Sequence, residues 1–278
     1  MFYDAHNHLQ DAWLAPFHAQ ILADLAAASV ARVVVNGTCL SDWPDVAALA
    51  QAHAVVMPSF GLHPWDVGNA HEPWRAALES ALTAHPSAGV GEIGLDRWIL
   101  DRAKPDDPRL AGLRRAPLAE QLEAFTWQLA LAARLNRPAT IHCLDAWGAL
   151  QSALHAMPLP ARGFLVHAFG GSIEVARDLA ALGAYFSFNT DFLAERHAGR
   201  RAVFAALPAD RLLVETDAPA MPPPVKERAY PLPGRADGTV LNHPANVTAA
   251  YAGLAAVRGV PLDPLTTQVA ENFRRLFG

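Results

Sequence analysis

Phe2-Tyr3-Asp4-Ala5-His6-Asn7-His8 opens the chain and decides how the rest of it is read. The first four residues form a short apolar strand, and two histidines stand where it ends. Side chains two apart in an extended chain point the same way, so His6 and His8 aim two imidazoles at one point. Neutral imidazole is the commonest side-chain ligand for zinc-like metals. The same stretch bears on topology. A doubly wound open sheet carries a glycine-rich phosphate turn after its first strand, and here that position holds His-Asn-His.

Outward from this strand, β-rich runs alternate with Ala/Leu-rich helical runs, the pattern of βαβ units and a parallel sheet. The further strands are predicted at 32–36, 55–60, 89–93, 139–143, 163–166, 184–188 and 211–215. Helices are predicted at 17–29, 43–53, 73–85, 118–136, 146–157, 173–182, 198–207, 244–258 and 263–277. With the first strand this makes eight strand–helix pairs, the number that closes a (β/α)8 TIM barrel. The length, 278 residues, suits one such domain over 1–278. No repeat, low-complexity tract or linker divides it.

Hydrophobic residues make up 52% of the chain, enough for a large core. A net charge of −5 argues against bulk electrostatic coating of nucleic acid, though a local basic groove is compatible with it. Two cysteines, Cys39 and Cys143, imply no disulfide framework. No basic leader followed by an apolar run is visible, and no apolar stretch reaches the ~18 residues of a membrane helix. The expected location is therefore the cytoplasm, with no membrane partner.

Barrel enzymes place their chemistry at the carboxyl ends of the strands. Here those ends carry His6 and His8, then His63, Glu92, His142, His167, and finally Glu215 and Asp217. Taken singly, each has a bland reading as a hydrogen-bonded core residue, an ion-pair partner or a cap. Taken together, four of these histidines (His6, His8, His142, His167) and two carboxylates (Glu92, Asp217) converge on one rim, and buried charges are costly unless paired or bound to metal. Nitrogen plus carboxylate donors suit zinc, manganese, iron or nickel better than calcium. Six donors exceed one tetrahedral catalytic site, so two metals sharing a bridging carboxylate are expected.

The blocks Asp4-Ala5-His6-Asn7-His8-Leu9, Phe60-Gly61-Leu62-His63-Pro64, Gly91-Glu92-Ile93-Gly94-Leu95-Asp96, Ile141-His142, Val166-His167-Ala168-Phe169 and Glu215-Thr216-Asp217-Ala218-Pro219 resemble the signature of the TatD family of metal-dependent hydrolases, amidohydrolase-type TIM barrels. The glutamine-bearing run 121–135 and Asn272-Phe273-Arg274-Arg275-Leu276-Phe277 match as well. The resemblance implies one divalent ion on His6, His8, Glu92 and Asp217, and a second on Glu92, His142 and His167. The ions would be zinc, magnesium, manganese, iron or nickel. It also implies catalytic roles for Asp217, which orients or deprotonates the attacking water, and for bridging Glu92. His63 is placed to contact a phosphate or the developing charge, or else is a structural turn residue. Glu215 is expected as the partner of a ligand histidine, a core ion pair being the alternative.

Family members are commonly deoxyribonucleases that trim single-stranded DNA from the 3′ end. Hydrolysis of a small ester, lactone or amide is the second reading, and a non-enzymatic metal-binding or partner-binding protein the third. Three departures bear on the choice. Asn242-His243-Pro244 stands where the family has Asn-Glu-Pro. The segment 97–117 is long and carries six basic residues against three acids, which makes it a solvated surface loop or a lid over a polyanion. Phe186-Ser187-Phe188-Asn189 replaces a strand ending in Ser and Gly.

Overall fold

The computed structural model describes residues 1–71 and 73–278. Eight parallel strands follow one another in chain order around the sheet. They are β1 (Phe2–Asn7), β2 (Val30–Asn36), β3 (Val56–Phe60), β4 (Gly89–Asp96), β5 (Ala139–Leu144), β6 (Phe164–Val166), β7 (Ala184–Asn189) and β8 (Leu212–Glu215). The helices between and after them are α1 (His18–Ala27), α2 (Trp43–Ala52), α3 (Trp74–Ala84), α4 (Trp98–Asp101), α5 (Leu118–Leu135), α6 (Trp147–His155), α7 (Ile173–Ala181), α8 (Ala198–Ala206), α9 (Val247–Arg258) and α10 (Leu262–Phe277).

The strands form where apolar runs are short and β-rich, and both sheet faces are covered, so polar alternation is absent. All eight residues of β4 are buried, and so are Val33, Val34 and Val35 of β2. The helices pack outside by one stripe. In α10 the buried residues Leu265, Val269, Phe273 and Leu276 recur at helical spacing while Arg274 and Arg275 stay outside.

The ring closes between its first and last strands. Asp217 N donates to His6 O at 3.0 Å, and His8 N donates to Ala218 O at 2.8 Å. Asp4 reinforces this junction, accepting from Thr216 N at 3.0 Å and from Thr216 Oγ1 at 2.6 Å. The result is the predicted TIM-barrel architecture.

Strand boundaries agree with the sequence reading within three residues. The largest difference is in β4, which runs on to Asp96 because Ile93 to Asp96 pair with Ile141 to Leu144 of β5. Gly94 makes that approach possible: its φ is +148°, and a Cβ there would stand 2.0 Å from His142 O. The segment after β4 contains the single turn α4, too short to show a period. Among the described residues, no helix is long and apolar enough to cross a membrane.

Candidate metal centre

The carboxyl ends of six strands deliver their polar side chains to one buried cluster. His6 Nε2 lies 3.2 Å from His8 Nε2, 3.4 Å from Glu92 Oε2 and 3.4 Å from Asp217 Oδ1. His8 Nε2 lies 3.3 Å from Glu92 Oε2 and 3.5 Å from Asp217 Oδ1. Donors 2.0–2.1 Å from a tetrahedral ion stand roughly 3.3–3.4 Å apart. The five separations match the spacing within a tetrahedral donor set.

Glu92 turns its other oxygen to a second group. Oε1 is 2.8 Å from His167 Nε2, 3.0 Å from His142 Nδ1 and 3.4 Å from His63 Nε2. His142 Nδ1 and His167 Nε2 are 3.2 Å apart. The two carboxylate oxygens of one residue thus serve two adjacent donor groups.

Hydrogen bonds on the remote ring nitrogens fix which nitrogen offers a lone pair inward. His8 Nδ1 faces Asn36 O at 2.8 Å, so that nitrogen carries the proton and Nε2 presents a lone pair. His142 Nε2 faces Asp96 Oδ2 at 3.1 Å, leaving Nδ1 free to ligate. His167 Nδ1 points to Glu215 Oε1 at 3.6 Å, longer than a hydrogen bond but close enough for charge attraction. His63 is the opposite case. Its Nδ1 accepts from Trp65 N at 3.2 Å, so Nε2 carries the proton and points it at the cluster.

The electrostatics agree with a site built for cations. Burial pushes Glu92 up, but the imidazoles of His167, His63 and His6 outweigh it and hold the carboxylate well below its usual range. Burial likewise opposes ionisation of Asp217, and hydrogen bonds from His6 and His8 reverse that. Without a cation the charge is balanced by protons. Against the pull of burial, Asp217 and Glu92 hold His8 well above its ordinary value, and Asp96 and Glu92 raise His142 to about 9. At His63 burial wins and lowers the pKa. Imidazoles that stay protonated only for want of another cation fit a metal site.

The supporting shell explains two departures from the family pattern. Ser187 Oγ donates to Glu215 Oε2, and Asn189 Nδ2 donates to Glu215 Oε1 at 3.0 Å, so β7 uses its inward residues to seat the buried Glu215. His243 Nδ1 accepts from Ala245 N at 2.9 Å, capping the turn at Pro244–Asn246, while its Nε2 lies 3.2 Å from Asp24 Oδ2 on α1. His243 therefore anchors the last loop, outside the donor cluster. Asp96 is the main residue that sequence reasoning passed over as a site residue; its signal was its position two pleats beyond Glu92 on the same strand.

The basic residues of segment 97–117 are mostly taken up by partners within the segment or just beyond it. Arg97 pairs with Asp101, Arg102 with Asp145, Arg109 with Asp107 and Arg114 with Glu120. Arg115 donates to Ile99 O and Ala103 O. That matches the surface-loop reading better than the polyanion lid.

A parallel eight-stranded barrel with a buried imidazole–carboxylate cluster at its carboxyl mouth defines a metal-dependent hydrolase of the TIM-barrel class. The family model described as TatD related DNase matches residues 3–278, and the chain belongs to that family. It is 31% identical over 265 residues to the 3'-5' ssDNA/RNA exonuclease TatD of Klebsiella pneumoniae (strain 342), covering 94% of this chain and 92% of that protein. It is 30% identical over 285 residues to the uncharacterized metal-dependent hydrolase YjjV of Escherichia coli (strain K12), covering 99% and 97%. The crystal structure of the Escherichia coli TatD homologue YjjV superposes with a TM-score of 0.83 at 29% identity, covering 99% of this chain and 97% of that one.

Proposed function

We propose that residues 1–278 act as one catalytic domain that hydrolyses phosphodiester bonds of single-stranded nucleic acid from the 3′ end, with two divalent ions. The observation that carries the reading is the division of Glu92, Oε2 to the His6/His8/Asp217 group and Oε1 to the His142/His167 group. One ion would be held by His6, His8, Glu92 and Asp217, the other by Glu92, His142 and His167. The set suits zinc, manganese, iron or nickel, and magnesium is the alternative where oxygen donors dominate. When bound, such a pair lowers the pKa of water toward ~7 and neutralises charge on a phosphate.

The chain's own groups do the rest. Asp217 stays ionised and orients the attacking water by accepting its hydrogen bond. His63 presents Nε2–H to a non-bridging or leaving oxygen, a fixed donor where negative charge grows. Asp96 holds the His142 ring in its tautomer, and the Glu215 carboxylate attracts the Nδ1 side of the His167 ring. The relative named as an ssDNA/RNA exonuclease supports the substrate class.

A small ester, lactone or amide is the second reading. It is favoured by the net charge of −5, which gives a polyanion no bulk attraction. We infer a cytoplasmic location from the two free thiols, Cys39 and Cys143.

The test is a 3′-labelled single strand incubated with metal-loaded protein, alongside Glu92→Ala. Shortening by the parent and none by the variant is expected. A panel in which a neutral ester is cleaved and DNA is not would replace the phosphodiester reading with the ester one.

A further inference from the structure

Beside the donor cluster lies a cleft of about 250 Å³ whose walls include His142, His167, Asp217, Trp147 and Arg200. Trp147 begins α6 and Arg200 sits in the first turn of α8. Gly170-Gly171, three residues past His167, run beside both. A Cβ on Gly170 would stand 3.3 Å from Arg200 Nη2 and 3.4 Å from its Cζ. A Cβ on Gly171 would stand 3.4 Å from Trp147 Cδ2. The bare backbone lets a guanidinium and an indole close in on the same opening.

Arg200 differs from its neighbours. Among the described residues it makes no hydrogen bond and no ion pair; its one specific contact is with the Phe192 ring, 5.0 Å from Cζ to the centroid. Asp191, whose charge reaches it, is already bonded to Arg196 and to His197. Arg201 is used up on Phe192 O and Ala194 O. Arg200 thus keeps five N–H donors without a protein partner, at the edge of the cleft and open to an anion. Its planar fork matches a phosphate. Trp147 is partly buried, with Phe169 packed edge-on at 5.0 Å, and lines the cleft. An indole of this kind stacks bases without sequence preference.

We propose that Arg200 and Trp147 form a nucleotide subsite beside the metal centre, the guanidinium taking a phosphate next to the scissile one and the indole a base. The subsite deepens the phosphodiesterase reading and rests on it. It also places the nucleic-acid contact on the loops after β5, β6 and β7 rather than on the 97–117 segment, whose arginines are mostly paired.

The experiment compares an oligothymidylate of eight residues with methyl p-nitrophenyl phosphate, a diester with neither a second phosphate nor a base. Metal-loaded parent, Arg200→Met, Arg200→Lys, Trp147→Leu and Trp147→Phe are assayed, with thermal melts to show that each is folded. In Arg200→Met the ratio of kcat/KM for the oligonucleotide over that for the small diester falls at least tenfold, with the loss in KM; Arg200→Lys restores part of it. Trp147→Leu lowers the ratio roughly 5- to 100-fold, and Trp147→Phe less. Binding of the same oligonucleotide in EDTA, read by fluorescence anisotropy, weakens in parallel in both Met and Leu variants. Ratios and affinities within twofold of the parent overturn the subsite and leave the phosphodiesterase reading standing. A parent that cleaves neither phosphodiester and does not bind the oligonucleotide overturns both.

Discussion

His63 and His142 carry the same ring at the same rim with opposite polarity. A backbone N–H from Trp65 makes His63 a donor toward the cluster, and the Asp96 carboxylate makes His142 a lone-pair source. The two should therefore fail differently. His142→Ala is expected to lose bound metal, read by elemental analysis, along with its activity. His63→Ala should keep its metal and lose roughly 10²–10³ in kcat, the usual cost of one electrostatic donor. Equal metal loss in both variants would show that His63 ligates.

Asp66 gives a second residue-level test. Burial first, then the charges of Asp42 and Glu92, raise its pKa from 3.8 to about 7. A carboxyl whose folded pKa is raised holds its proton longer than the unfolded chain does, so stability falls as pH rises from about 4 to 7 and is flat beyond. Asp66→Asn should melt higher than the parent at pH 8 and level with it near pH 4. The histidines were legible in the sequence because each ends an apolar strand. Arg200 was not: it sits among Arg196, His197 and Arg201, and only coordinates reveal which of the four lacks a partner.

Helix α5 shows how one element positions two others. Gln128 Oε1 accepts from Leu62 N at 2.7 Å and its Nε2 donates to Leu62 O at 3.1 Å, clamping the residue before His63. Two turns earlier Gln121 does the same to Asp96, accepting from its N at 2.8 Å and donating to its O at 3.0 Å. Both glutamines are fully buried. Gln128→Leu leaves a backbone donor and acceptor unpaired, a cost of roughly 2 kcal/mol or more. The expected result is a lower urea midpoint with kcat reduced through a displaced His63. The helix itself was predictable from its period, whereas α4 was not, since Trp98–Asp101 is one turn and carries no periodicity.

At the scale of the whole molecule, the barrel follows from repeated strand–helix alternation, which survives errors of a few residues at any boundary. The loops do not repeat, so their contacts, such as Arg115 on Ile99 O, were not legible. The buried cluster holds imidazoles and carboxylates that a cation should stabilise together. At a hundredfold excess over Kd, metal contributes about 2.7 kcal/mol, on the order of 5 °C in Tm for a chain of this size. Melts with and without EDTA should differ by that much in the parent and by less in Glu92→Ala.

The seam of the barrel has its own consequence. The peptide groups that join β1 to the end of β8 belong to His6, His8, Asp217 and Ala218, three of them donors in the cluster. A copy whose β1–β8 seam has not formed holds His6 and His8 apart from Asp217. Barrel closure and assembly of the donor group are one event, since His6, His8 and Asp217 serve both.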